Sequence, residues 1–127
     1  MKTVFIVQPL SGRTYDKILA DRTEVYKTIR DMFQECHEEF VCDTIFIGDH
    51  AEDYDKDMDN ILYHLDQLKN ADIVVLSRNW RTDWLCSIER EIAEHTGKSI
   101  ITWWDMEKYR KKQRLEERMK QKEEEQQ

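Results

Sequence analysis

Two carboxylates six residues apart, Asp83 and Glu89, lie in the run Trp80-Arg81-Thr82-Asp83-Trp84-Leu85-Cys86-Ser87-Ile88-Glu89-Arg90-Glu91. Such a pair suits nucleophilic or acid/base work if a fold delivers both groups to one cleft. Trp80 and Trp84 beside them offer flat faces on which a ring can stack. Asp83 occupies the place of a helix N-cap, and Leu85, Ile88 and Ile92 stripe the helix that follows. Glu89, four residues after Leu85, then falls at the edge of the apolar face, while Glu91 turns to solvent. The plainer reading of these residues is a cap and an ordinary helix glutamate.

A second segment, Gln8-Pro9-Leu10-Ser11-Gly12-Arg13, follows an apolar run. One glycine builds neither a GxGxxG fingerprint nor a P-loop. A turn from strand to helix nevertheless presents backbone N–H groups, and here it adds the Ser11 hydroxyl and the Arg13 charge. Further on, Asp49, Glu52, Asp53, Asp55, Asp57 and Asp59 crowd one stretch. Asp53, Asp55 and Asp57 are spaced like the start of an EF-hand, but Met58 stands where that loop needs Gly and His64 where it needs Glu. Calcium is excluded on that count, and a solvated loop leading into a helix is expected. His64, whose unperturbed pKa lies near neutrality, is a candidate to hand a proton to a leaving group. Against that stands an ordinary helix histidine, satisfied or exposed.

The elements that must position these groups follow from hydrophobic period. Thr3–Val7, Val41–Gly48, Asp72–Leu76 and Ser99–Trp103 are short apolar or β-branched runs and read as strands. Between them, Ile18, Val25, Ile29, Met32 and Phe33, then Met58, Ile61, Leu62, Leu65 and Leu68, recur at helical spacing. Leu85, Ile88, Ile92 and Ala93 stripe a third helix that Gly97 ends, and a charged helix starts near Asp105. Continuously apolar strands alternating with helices specify an α/β fold, a doubly wound parallel sheet of four to five strands with helices on both faces. The type is flavodoxin/Rossmann-like. Ligands bind such sheets beyond the carboxyl ends of the strands, here at Gln8–Tyr15, Gly48–Asp57, Ser77–Cys86 and from Trp104 onward.

Length and charge set the bounds. The 127 residues suit one domain, with 39% apolar and 37% charged residues and a formal net charge of −7. Residues 107–127 hold eight Lys/Arg and six Asp/Glu, and the preceding 106 hold twelve and twenty-one. The body, 1–105, is therefore acidic, and 106–127 form a charged C-terminal helix or tail that buries little of itself, its last seven residues disordered. An acidic body argues against a nucleic-acid polymer as partner. No run approaches a membrane span or a signal peptide. Cys36, Cys42 and Cys86 are odd in number without a CxxC, as suits free thiols in a reducing cytosol. No metal or organic cofactor is implied.

Taken together, these motifs resemble the nucleoside 2-deoxyribosyltransferase-like superfamily, including its small uncharacterised relatives, over residues 2–104. The resemblance rests on the turn Gln8-Pro9-Leu10-Ser11-Gly12 and on Leu65, Leu68, Ala71 and Asp72 before the third strand. Trp80, Cys86, Ile88, Glu89, Glu91, Ile92 and Ala93 complete it. It implies cleavage or transfer of the N-glycosidic bond of a 2′-deoxynucleoside, with Glu89 attacking the anomeric carbon to form a glycosyl-enzyme. Asp83 is implied to hold the sugar hydroxyls, and His64 or Asp66 to manage the proton. Phe5, Gln8, Pro9, Ser11, Gly12, Arg13, Trp80 and Trp84 are implied to line the substrate site. Its members commonly assemble as homo-oligomers. Three positions depart from the pattern: Phe5 replaces a Tyr, Gln8 a Gly, and His64 an Asp. These departures leave an alternative, a non-catalytic module that binds a nucleoside or nucleotide on the same fold. A third reading makes the charged C-terminal helix the working part and the α/β body its scaffold.

Overall fold

The computed structural model describes residues 1–42 and 51–126. The chain is an α/β protein, and among the described residues four strands form one all-parallel sheet in the order β2-β1-β3-β4. The strands are β1 (Lys2–Val7), β2 (Phe40–Cys42), β3 (Ile73–Leu76) and β4 (Ser99–Ile101). Four α-helices connect or follow them: α1 (Tyr15–Glu35), α2 (Met58–Lys69), α3 (Trp84–His95) and α4 (Trp103–Glu125). Short 3-10 segments at Ala51–Lys56 and Trp80–Thr82 precede α2 and α3. The arrangement is compatible with a Rossmann-like fold. Most of the second strand expected over Val41–Gly48 lies outside the described residues, as do Asp49 and the side chains of Glu52 and Asp53.

β1 and β3 are central because Val4–Val7 and Ile73–Leu76 are apolar at every position, and a strand with a neighbour on each edge can bury such a run. Alternate residues of β1 enter different clusters, as the period of two requires. Phe5 and Val7 pack with Val74 and Leu76 and with Leu68, Cys86 and Ala93 from α2 and α3. Val4 and Ile6 pack with Val75 and with Val25, Ile29, Phe33 and Met106 from α1 and α4. Each fully buried aliphatic or aromatic side chain contributes about 1.5–3 kcal/mol. Beyond the strands, the Asp72 carboxylate accepts from the Thr3 amide at 2.8 Å and so pins the β1–β3 register.

Each helix starts at a side-chain cap. Thr14, Asp57 and Asp83 accept from Lys17, Asp59 and Cys86 amides, and Thr102 and Asp105 form a reciprocal capping box. That box moves one boundary. Trp103, expected to end the fourth strand, opens α4, because Thr102 already supplies the N-cap. At the other end of α3, Gly97 adopts φ 73°, where a Cβ is disfavoured, and Lys98 N–H reaches back to the Ala93 carbonyl at 3.0 Å.

α4 joins the two segments that composition separates. Met106 is fully buried in the body's core, so a boundary at 105 falls inside a packed helix. Arg110 donates to the Thr28 hydroxyl at 2.8 Å, pairs with Glu24 at 3.0 Å, and lies 4.9 Å from the Trp103 ring. The helix continues to Glu125 rather than ending before the last seven residues. Among the described residues, no helix is long and apolar enough to cross a membrane.

Candidate functional site

The carboxyl ends of β1 and β3 lie side by side, with Ser77 N–H donating to the Val7 carbonyl at 3.0 Å. Around them the fold gathers polar side chains from four places. α3 carries Glu89, α2 carries His64, the 3-10 turn before α2 carries Tyr54, and α1 carries Arg22. Glu89 is only 2% exposed, His64 4% and Tyr54 2%. This burial follows from helical phase: Glu89 is four residues after Leu85 and four before Ala93, both of them core. His64 is likewise four residues before Leu68.

Tyr54 and His64 form the centre of the cluster. The Tyr54 hydroxyl and His64 Nε2 are 2.7 Å apart, and the rings meet edge to face at 5.2 Å. Phe5 from β1 and Tyr63 from α2 present further edges to the imidazole, at 6.1 and 6.0 Å. Burial pushes the His64 pKa down to about 4, aided by the positive charge of Arg22. The Tyr54 phenol is pushed up to about 12, mainly by burial, with Tyr63, Glu89 and Asp57 adding negative charge nearby. Both groups are therefore neutral near pH 7. The expectation that His64 titrates near neutrality is corrected accordingly: imidazolium is a minor form there. Asp66, the other candidate for proton handling, is exposed on α2.

The turn after β1 is held rather than open. Gln8 is buried, and its Nε2 donates to the Ile18 carbonyl at 2.6 Å. Its Oε1 is buried without a hydrogen-bond partner among the described residues. Pro9 is buried as well, Gly12 is exposed at φ 73°, and the Ser11 hydroxyl donates to Asp55 at 2.7 Å. Arg13 pairs with Asp21 at 3.5 Å. Asp83 is committed at one oxygen to the α3 cap, accepting from the Cys86 amide at 3.1 Å. The Cys86 thiol is raised far above its ordinary range by burial and by the charges of Asp83 and Glu89, so it is inert as a nucleophile.

The tryptophans divide. Trp80 packs against the core and has the guanidinium groups of Arg81 and Arg90 at 5.4 and 5.7 Å from its ring. Trp84 is 56% exposed and faces away from the core. Trp80 also lines a crevice of 660 Å³ at the carboxyl ends of β3 and β4, together with Trp103 and Trp104. Glu89, His64 and Gln8 do not line that crevice. The predicted residues thus split into a buried cluster (Phe5, His64, Glu89), a fixed turn (Gln8 to Arg13) and a separate aromatic wall.

Tyr54 and Arg22 escaped the sequence reading. Tyr54 is one aromatic among carboxylates, in a stretch read as a solvated loop. Arg22 follows Ile18 by four residues, the spacing that places it on the buried stripe of α1. Among the described residues, no group of three or more His, Cys, Asp or Glu is disposed to hold a metal ion. No family model, curated protein or solved structure matches the chain.

Proposed function

We propose that the protein cleaves or transfers the N-glycosidic bond of a 2′-deoxynucleoside, with Glu89 as nucleophile. The observation that carries this reading is the 2% exposure of Glu89 at the carboxyl edge of the sheet. Burying a carboxylate costs several kcal/mol, so a helix glutamate with no use for burial faces water. In the proposed reaction, a Glu89 oxygen bonds to the anomeric carbon as the carbon–nitrogen bond breaks. The departing base keeps the electron pair and takes up a proton. Water, or a second base, then displaces Glu89 and frees the sugar.

Supporting groups follow from the same cluster. Gln8 Oε1, with no hydrogen-bond partner among the described residues, can accept from a sugar hydroxyl, and the second oxygen of Asp83 can do the same at the cap. The neutral Tyr54–His64 pair supplies a hydrogen-bonded proton without a buried positive charge. In this reading the sheet is doubly wound, with α2 and α3 on one face and α1 and α4 on the other, and copies of the chain associate as homo-oligomers.

Incubation with deoxynucleosides, with and without a second free base, tests the proposal by chromatography of released base and new nucleoside. Glu89→Gln is expected to lower turnover by about 10³-fold or more. Turnover unchanged in that variant overturns the mechanism. A second reading, a non-catalytic nucleoside- or nucleotide-binding module, is favoured by one observation: Gln8 fills the place where the pattern has Gly and is already bonded to Ile18. Thermal stabilisation by nucleosides with no released base would select it.

A further inference from the structure

Ser77, Arg78 and Asn79, which follow β3, separate the 660 Å³ crevice from a smaller one of 200 Å³ beside α1, and line both. Asn79 holds a left-handed φ of 63°, which turns the chain sharply between them. The charges here run against the rest of the molecule. In a chain of net charge −7, the two crevices are lined by Arg13, Lys17, Arg78, Arg81 and Arg90 against Asp21, Glu24 and Glu94.

Most of those charges already have partners. Arg13 and Lys17 pair with Asp21 at 3.5 and 3.2 Å, and Arg90 with Glu94 at 2.8 Å. Glu24 is taken by Arg110. The guanidinium groups of Arg78 and Arg81 have no carboxylate partner among the described residues. Lys108 and Lys111, two further cations, stand 6.0 and 5.9 Å from the ring of Trp104, itself 62% exposed on the crevice wall. The site therefore offers uncompensated planar cations beside indole faces, in a volume suited to a small molecule. Guanidinium forks match phosphate oxygens, and indoles stack on flat heterocycles. The acidic body around the crevice disfavours a phosphate polymer but not a single phosphate.

We propose that this crevice binds a nucleoside monophosphate, its phosphate on Arg78 and Arg81 and its base against the exposed ring of Trp104. The site shares no residue with the Glu89 cluster, and the proposal does not depend on the glycosidic chemistry.

Three of the four tryptophans, Trp80, Trp103 and Trp104, line the crevice, so intrinsic fluorescence reports on it directly. The full chain is titrated with adenosine 5′-monophosphate, adenosine, inorganic phosphate and an oligoglutamate peptide. Saturable quenching by the monophosphate is expected, at least about tenfold tighter than for the other three and weakening with salt. Arg78→Gln/Arg81→Gln is expected to weaken it at least about tenfold, with an unchanged circular dichroism spectrum confirming the fold. Glu89→Gln is expected to bind as the wild type does, which separates this site from the proposed catalytic one. Equal binding of adenosine, phosphate or oligoglutamate overturns the proposal. So does nucleotide binding that survives the double substitution, or no quenching at millimolar nucleotide. Should the double variant fail to fold, Arg78→Lys/Arg81→Lys keeps the charges without the forks, and an undiminished affinity there has the same force.

Discussion

Near one part of the carboxyl edge of the sheet, Tyr54, His64 and Glu89 are folded out of solvent and act on one another. Near another, Arg78, Arg81 and Trp104 stand in water with few partners. The first region is fixed by core packing: each polar group is carried by a helix or turn whose neighbouring residues are themselves core. The second is fixed by loop geometry and by cation–ring contacts at 5.4 to 6.0 Å. Buried groups change their protonation to suit the site, as His64 does. The first region is therefore shaped by packing, and the second leaves its cations open to solvent.

That contrast can be broken most severely at Phe5, which is fully buried and meets the His64 ring edge to face. Phe5→Ala is expected to cost about 3–5 kcal/mol in urea unfolding, because the void opens beside a polar group that cannot fill it. A loss below about 1 kcal/mol would show that the cluster is loosely held.

The next effect is one of pH. His64 has a pKa of about 4 in the folded chain and an ordinary value of 6.5 once unfolded. Between these values the unfolded chain binds the extra proton. Its contribution is thus fully present above pH 6.5 and lost as the pH falls from 6.5 toward 4. The loss is on the order of 3 kcal/mol. His64→Gln should flatten that slope, measured as unfolding free energy across the window; an unaltered slope would assign it to other groups.

Tyr54→Phe should cost about 1–3 kcal/mol by stripping the imidazole of its partner, and should raise the cost of His64 protonation little. Asp83→Ala removes the α3 cap, for about 1 kcal/mol, while Asp83→Asn retains most of it. At the bottom of the scale, Arg78→Gln should move the melting midpoint hardly at all, within about 0.5 kcal/mol. A large loss there would mean that the crevice is structural.

The positions of β1, β3 and α1 to α3 were legible because their apolar residues recur without interruption or at a period near 3.6. The fourth strand was read two residues too long, since Trp103 and apolar Ile101 look alike until the Thr102–Asp105 cap is recognised. Within the candidate site, Glu89 was legible from its phase against Leu85, and Asp83 from its position before the helix. Tyr54 was not, because its burial depends on a turn and on contacts with His64 from another element, which no local period announces. The cations at the crevice were hidden for a related reason: Arg78 and Arg81, which line it, and Lys108 and Lys111 beside Trp104 come from two segments that the β3–β4 pairing brings near one another.

The β1–β3 ladder also sets a timetable. Its Thr3–Asp72 contact joins residues 69 apart, so during synthesis at roughly 5–20 residues per second β1 waits roughly 3 to 14 s for its neighbour. Throughout that wait, the apolar run Val4–Val7 has only α1 and β2 to lean on, and parallel pairing across so long a loop is slow to form. Newly made chains are therefore most exposed to clumping before β3 is complete, and a companion that shields Val4–Val7 over that interval would raise the yield of folded protein.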